Sequence, residues 1–177
     1  MPTQRRALVL GGTGMLAGCV EGLIDEGWHV VLPSRRRPLT TPQAEWVQAD
    51  WSQPAELAEV AGKALGGPAN LLVAWVHGSF RVPVLSAVAP LLAPGAPVVE
   101  VHGSASANPV QGCPEPVLSQ HPTQQVVLGF LRHEGRTRWL THSETVEGVL
   151  AAVHRALEGR QPAVHQVGEF RPWTALR

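Results

Sequence analysis

The feature that most constrains this chain is a glycine-rich turn between a buried-type strand and an amphipathic helix. Ala7-Leu8-Val9-Leu10 is a short unbroken apolar run, the pattern of a strand covered on both faces. Gly11-Gly12-Thr13-Gly14-Met15-Leu16-Ala17 follows at once. Leu16, Cys19, Val20, Leu23 and Ile24 then recur at helical spacing, and Gly27 reads as the C-terminal cap. A buried strand that turns sharply into a helix needs further parallel strands beside it.

The rest of the chain supplies them. A second strand is expected over Trp28–Leu32, then a polar loop over Pro33–Pro42 with three arginines. A short third strand, Trp46–Ala49, ends at Asp50. Pro54–Leu65 reads as a helix with its proline at a permitted first-turn position. A fourth strand over Asn70–Val76, a helix over Val82–Leu92, the turn Pro94-Gly95 and a fifth strand over Val98–His102 follow. This alternation predicts an α/β fold, a doubly wound parallel sheet of the Rossmann type with six to seven strands in a single domain, 1–177.

Residues 1–102 form the expected nucleotide-binding core, and 103–177 carry the remainder. Gly103–Pro122 is rich in Gly, Ser, Pro and Asn and reads as an irregular loop. A sixth strand is expected over Gln124–Leu131, a turn at His133–Arg136 and a short returning strand at Arg138–Leu140. Thr141-x-x-Glu144 fits a capping box, with Val146, Val149, Leu150, Val153 and Leu157 at helical spacing behind it. The tail from Val164 to Trp173 reads as a last extended segment.

Gly12-Thr13-Gly14-Met15-Leu16-Ala17 fits the G-x-G-x-x-G/A fingerprint in the strand–turn–helix context that the motif requires. Gly11 and Gly12 permit the tight turn, Gly14 lets the backbone approach a pyrophosphate, and Ala17 leaves room for helix–strand packing. Free N–H groups at the helix start favour the phosphates. Gly11, Gly12, Thr13, Gly14, Met15 and Leu16 are therefore the candidate contacts to a dinucleotide, NAD or NADP.

After the second strand, NAD-type sites place a carboxylate. This chain has Ser34-Arg35-Arg36-Arg37 instead. Arginine there suits a ribose 2′-phosphate, so NADP is expected over NAD; a solvated basic loop is the competing explanation. Asp50-Trp51 ends the third strand, where Asp50 either accepts from an adenine amine or caps the helix that follows. Trp75, Val76 and His77 end the fourth strand and should border the cofactor, because ligands bind outside the carboxyl ends of parallel strands.

Composition narrows the function classes. The 14 basic and 14 acidic residues balance, and no basic stripe exists beyond Arg35–Arg37, so no nucleic-acid partner is expected. Cys19 and Cys113 are far apart and read as free thiols in a reducing compartment. Arg5 and Arg6 lead into too short an apolar run for a signal peptide. Val82–Val99 is uncharged, but Pro83, Pro90, Pro94 and Pro97 break it as a membrane span. A cytoplasmic protein is expected, and no metal-ligand spacing is present. The helix over 143–157 offers a face for a homo-oligomer, a dimer by base rate.

The glycine turn, with Asp50 after the third strand and Ser104 after the fifth, resembles the short-chain dehydrogenase/reductase superfamily, and its small single-domain members most. The segments Leu72–His77, Val127–Phe130 and Arg138–His142 carry further resemblance to bacterial members. The resemblance implies NAD(P)-dependent carbonyl reduction or alcohol oxidation by a Ser-Tyr-Lys set, with Ser104 at the serine position. The chain departs from that pattern: it has no tyrosine, and Lys63 is its only lysine. His77, His102 and His142 are then candidate proton donors, since imidazole titrates near neutrality. His102 and Ser104 lie together after the fifth strand. Two readings stay open: an oxidoreductase with a non-standard proton donor, and a non-catalytic NADP(H)-binding sensor or regulatory protein.

Overall fold

The computed structural model describes residues 4–11, 16–36, 43–103, 114–133 and 135–168. In chain order its elements are β1 (Arg6–Leu10), α1 (Ala17–Asp25), β2 (His29–Ser34), β3 (Glu45–Gln48), α2 (Pro54–Leu65) and β4 (Leu71–Ala74). Then come α3 (Arg81–Val88), β5 (Val98–Gly103), β6 (Thr123–Leu128), β7 (Phe130–His133), β8 (Arg136–Trp139), α4 (His142–Leu157) and β9 (Val164–Val167). Seven strands form one sheet in the order β3-β2-β1-β4-β5-β6-β9, and each neighbouring pair is parallel. The doubly wound α/β fold expected from the sequence is the fold observed.

Successive strand residues point to opposite faces, so a strand buried on both must be apolar throughout. In β1, Ala7 and Val9 join a core with α1 and α4, while Leu8 and Leu10 join a second core with α2 and α3. Cys19, Val20 and Leu23 supply α1's share, with Leu16 just before it, and Val149, Ala152, Val153 and Ala156 supply α4's. Cys19 is a packing residue: burial, more than the nearby Glu26 carboxylate, pushes its thiol up to about 12. The α4 capping box is formed in both directions between Thr141 and Glu144. Arg138, with help from the Thr141 backbone, holds the Glu144 carboxyl down at about 2.

Helix placement fixes the hand of each crossover. The β4–α3–β5 and β6–α4–β9 connections step along the sheet in the same direction, yet α3 and α4 lie on opposite faces. If the first has the usual right hand, the second is left-handed, the rare sense for such a unit.

Several boundaries differ from the sequence expectation. The strand expected over Gln124–Leu131 stops at Leu128; Gly129 donates to Val167 O, and Phe130–His133 turns out to pair antiparallel with Arg136–Trp139. The helix expected to Leu92 ends at Val88 and tightens into a 3-10 turn over Ala89–Leu91, with Pro90 inside that turn. The second strand runs on through Pro33 to Ser34, because Pro33 still has a parallel partner in Val47. The fourth is shorter than expected, Leu71–Ala74. No described helix is long and apolar enough to cross a membrane, and the 82–99 segment is divided between α3, the 3-10 turn and β5.

Candidate functional site

The carboxyl ends of β1, β2, β3 and β4 open on a cleft of about 480 Å³ at the point where strand order reverses. Gly11 lies at its floor. Its φ is +88°, and a Cβ there would sit 2.8 Å from the Trp75 carbonyl oxygen. Trp75 N donates to Leu10 O at 2.9 Å, just beyond the last β1–β4 pair. Gly12, Thr13, Gly14 and Met15 lie outside the described residues. Leu16 is fully buried, so its side chain belongs to the core and only its backbone can serve a ligand.

Ser34, Arg35 and Arg36 form one rim. The Ser34 hydroxyl accepts from Trp46 Nε1 at 2.8 Å and donates to Arg36 O at 2.7 Å. It thus latches the β2 end to β3 and orients the arginine loop. Arg35 and Arg36 are exposed, with no ion-pair partner among the described residues. Asp50 also lines the cleft. Its Oδ1 accepts from the backbone N–H and the hydroxyl of Ser52, both at 2.9 Å. These bonds, the backbone one first, lower its pKa, and Arg35 adds to the effect. The helix-capping alternative does not hold, because Gln53 occupies the N-cap of α2; Asp50 builds the turn before it.

Aromatic rings close the cleft. His77 lies 6.1 Å from Trp51 and 5.9 Å from Trp75, ring centre to ring centre, and Phe80 lies 6.1 Å from Trp51. Trp75 and His77 are also one wall of a smaller cavity of about 280 Å³, which Val76, Arg81, His102 and Pro114 help to line. Trp75 and His77 thus line both spaces and Val76 only the smaller one, all three just past the end of β4 at Ala74. Val76 also packs in the second core.

His102 is 3% exposed, and its Nε2 lies 2.9 Å from Gln125 Oε1. Burial is the main cause that lowers its pKa; Glu100 and Gln125 push the other way. Glu100 is 2% exposed and holds Arg81 through a two-pronged pair, with Arg81 also donating to Glu115 O at 2.8 Å. Ser104 lies outside the described residues. His142 begins α4 and lines neither space. Sequence reasoning missed Phe80, Arg81, Glu100 and Gln125. The one available signal was a carboxylate inside an otherwise apolar strand, Val98-Val99-Glu100-Val101.

A parallel sheet with a cleft at its reversal point defines a doubly wound architecture, in which ligands bind outside the carboxyl ends of the strands. Solved structures make this narrower. A carbonyl reductase from Pseudomonas aeruginosa PAO1 superposes with a TM-score of 0.67 at 15% identity, covering 93% of this chain and 97% of that one. The Thermoplasma acidophilum aldohexose dehydrogenase gives 0.67 at 11%, covering 98% and 95%. A structure described as a short-chain dehydrogenase/reductase from Burkholderia multivorans with bound NADP gives 0.64 at 15%, covering 93% and 96%. No protein-family model matches the chain, and no curated protein does. The chain has the fold of the short-chain dehydrogenases/reductases.

Proposed function

We propose that this chain binds NADP(H) in the larger cleft and acts as a nicotinamide-dependent oxidoreductase. The observation that carries this reading is the pair of exposed arginines just after β2, lining the cleft beside the β1/β4 reversal of strand order. The residues present fit the group. The cleft is within the range of small-molecule sites, about 300–1,000 Å³. Gly11 leaves the floor clear, Arg35 and Arg36 offer guanidinium N–H donors for a 2′-phosphate, and Trp51 and Phe80 offer flat apolar surface. Such a cofactor supplies hydride chemistry itself; the chain's task is to hold and orient it.

Titration of NADPH and NADH, followed by dihydronicotinamide fluorescence, tests the reading. Charge-assisted hydrogen bonds of about 1.5–3 kcal/mol predict a preference for NADPH of roughly 10- to 150-fold. Arg35→Ala with Arg36→Ala should remove that preference and leave NADH affinity nearly unchanged. Equal affinities that the double variant does not alter would defeat it.

A second reading keeps the binding and drops the turnover. It is favoured by the absence of any tyrosine in the chain. NADPH consumption across a panel of aldehydes, ketones and quinones separates the two.

A further inference from the structure

We propose that His102 takes the proton from, and returns it to, a small alcohol or carbonyl substrate held in the 280 Å³ cavity. Gln125 and Glu100 orient its ring and offset its charge. This rests on the larger cleft being the nicotinamide dinucleotide site.

The argument begins with the ring. His102 Nε2 lies 2.9 Å from Gln125 Oε1 and 3.8 Å from Glu100 Oε2. Amide and carboxylate oxygens accept only, so Nε2 carries the hydrogen. Nδ1 is left as a lone pair, with no partner among the described residues. A neutral imidazole on a cavity wall with a bare Nδ1 is a base. An orienting partner on the far nitrogen is what a working histidine base requires, since it fixes both tautomer and direction.

Charge is provided for as well. A proton arriving at Nδ1 creates an imidazolium in a buried place, where an unpaired charge is costly. The buried Glu100 carboxylate already stands beside the ring, held from α3 by Arg81. Burial above all keeps the ring neutral, with Arg81 adding a little, while Glu100 and Gln125 favour its protonation, so the ring can still be charged. Among the described residues, the other titratable groups on the cavity wall are Arg81, which Glu100 holds, and His77, on the β4–α3 connection. His77 is exposed and has no hydrogen-bond partner orienting it among the described residues.

The step balances. In oxidation the substrate O–H proton passes to His102 Nδ1. The carbinol C–H bond yields its electron pair and hydrogen as hydride to an oxidised nicotinamide dinucleotide, and the C–O bond becomes C=O. Reduction is the reverse, with the imidazolium giving up the proton.

The test uses the full chain with histidine labelled in carbon and nitrogen. NMR of the free protein should show His102 as the Nε2–H tautomer, titrating below the ordinary histidine range. Gln125→Glu should raise that titration and move the pH profile of kcat for NADPH with cyclohexanone upward by the same amount. A merely structural histidine would move the first without the second. His102→Gln and His102→Asn should each lower kcat at least about 100-fold, with NADPH Kd changed less than twofold. The proposal is overturned by an Nδ1–H tautomer or by a folded variant keeping a tenth of kcat. It is equally overturned by a wild-type chain that binds NADPH yet turns over neither cyclohexanone nor butan-2-one, a result that leaves the cleft assignment standing. Failure to bind NADPH at all removes the cleft assignment itself.

Discussion

At Gly11 two constraints act on one atom position. The backbone has φ of +88°, a region L-residues reach at a cost of roughly 1–2 kcal/mol. A Cβ would also press on the Trp75 carbonyl oxygen, at 2.8 Å, which is a backbone atom rather than the end of a flexible side chain. Gly11→Ala should therefore cost about 2 kcal/mol or more, a fall in Tm of roughly 4–8 °C for a chain of this size. Thermal denaturation of the apo protein measures it, and a Tm within 2 °C of wild type would show that the turn adapts. The glycine requirement was legible because β-strand and helix patterns meet at that point. The second constraint was not legible, because it comes from Trp75, 64 positions further along the chain. Ser34 shows the same limit. Its position by the arginines could be read, but its hydroxyl serves Trp46 and Arg36.

Between elements, α1 meets α4 through glycine. A Cβ on Gly18 would fall 2.7 Å from Val146 Cγ2, and one on Gly22 would fall 3.1 Å from Leu150 Cδ1. Glycines four apart share a helix face, so the two backbones approach along a groove that valine and leucine fill. Alanine is the better helix former by about 1 kcal/mol. Overpacking against a stiff valine costs about 1–3 kcal/mol, so Gly18→Ala should be destabilising overall. Val146→Ala empties the groove, and the double variant should recover part of the loss. Urea denaturation of the four proteins gives the coupling, and simple additivity would sink the contact. The helices and the capping box of α4 were readable from periodicity and spacing. The exit of the chain from the sheet after Leu128 was not. Val126–Leu131 has the same apolar character on both sides of Gly129, so hydrophobic pattern carries no mark of the bend. The shared face of α1 and α4 was equally hidden, because sequence order alone would assign α4's crossover the usual hand.

Across the whole molecule, polar groups concentrate where β5, β6 and β9 meet. The adjacent glutamines of β6 point to opposite faces, and each engages a histidine. Gln125 meets His102 of β5, and Gln124 Oε1 lies 2.6 Å from His165 Nε2 of β9. Gln124 also donates to the carbonyls of Arg160 and Gln161, fastening the segment between α4 and β9. Desolvation lowers both histidine pKa values, with Arg155 adding to the effect at His165. In the unfolded chain both should titrate near about 6.5. Below that pH the unfolded state binds more protons than the folded one, so stability falls as pH drops. The loss begins as pH descends through about 6.5 and stops growing below the folded-state pKa values. Each extra proton can contribute a slope of at most about 1.4 kcal/mol per pH unit. Urea midpoints should thus be level from pH 8.5 to 7.5 and decline from 6.5 to 5.5, before carboxylate protonation takes over. A folded His102→Asn chain should decline less over that interval. If its decline equals that of the wild type, the acid sensitivity arises elsewhere, and burial of His102 as a neutral ring is refuted with it.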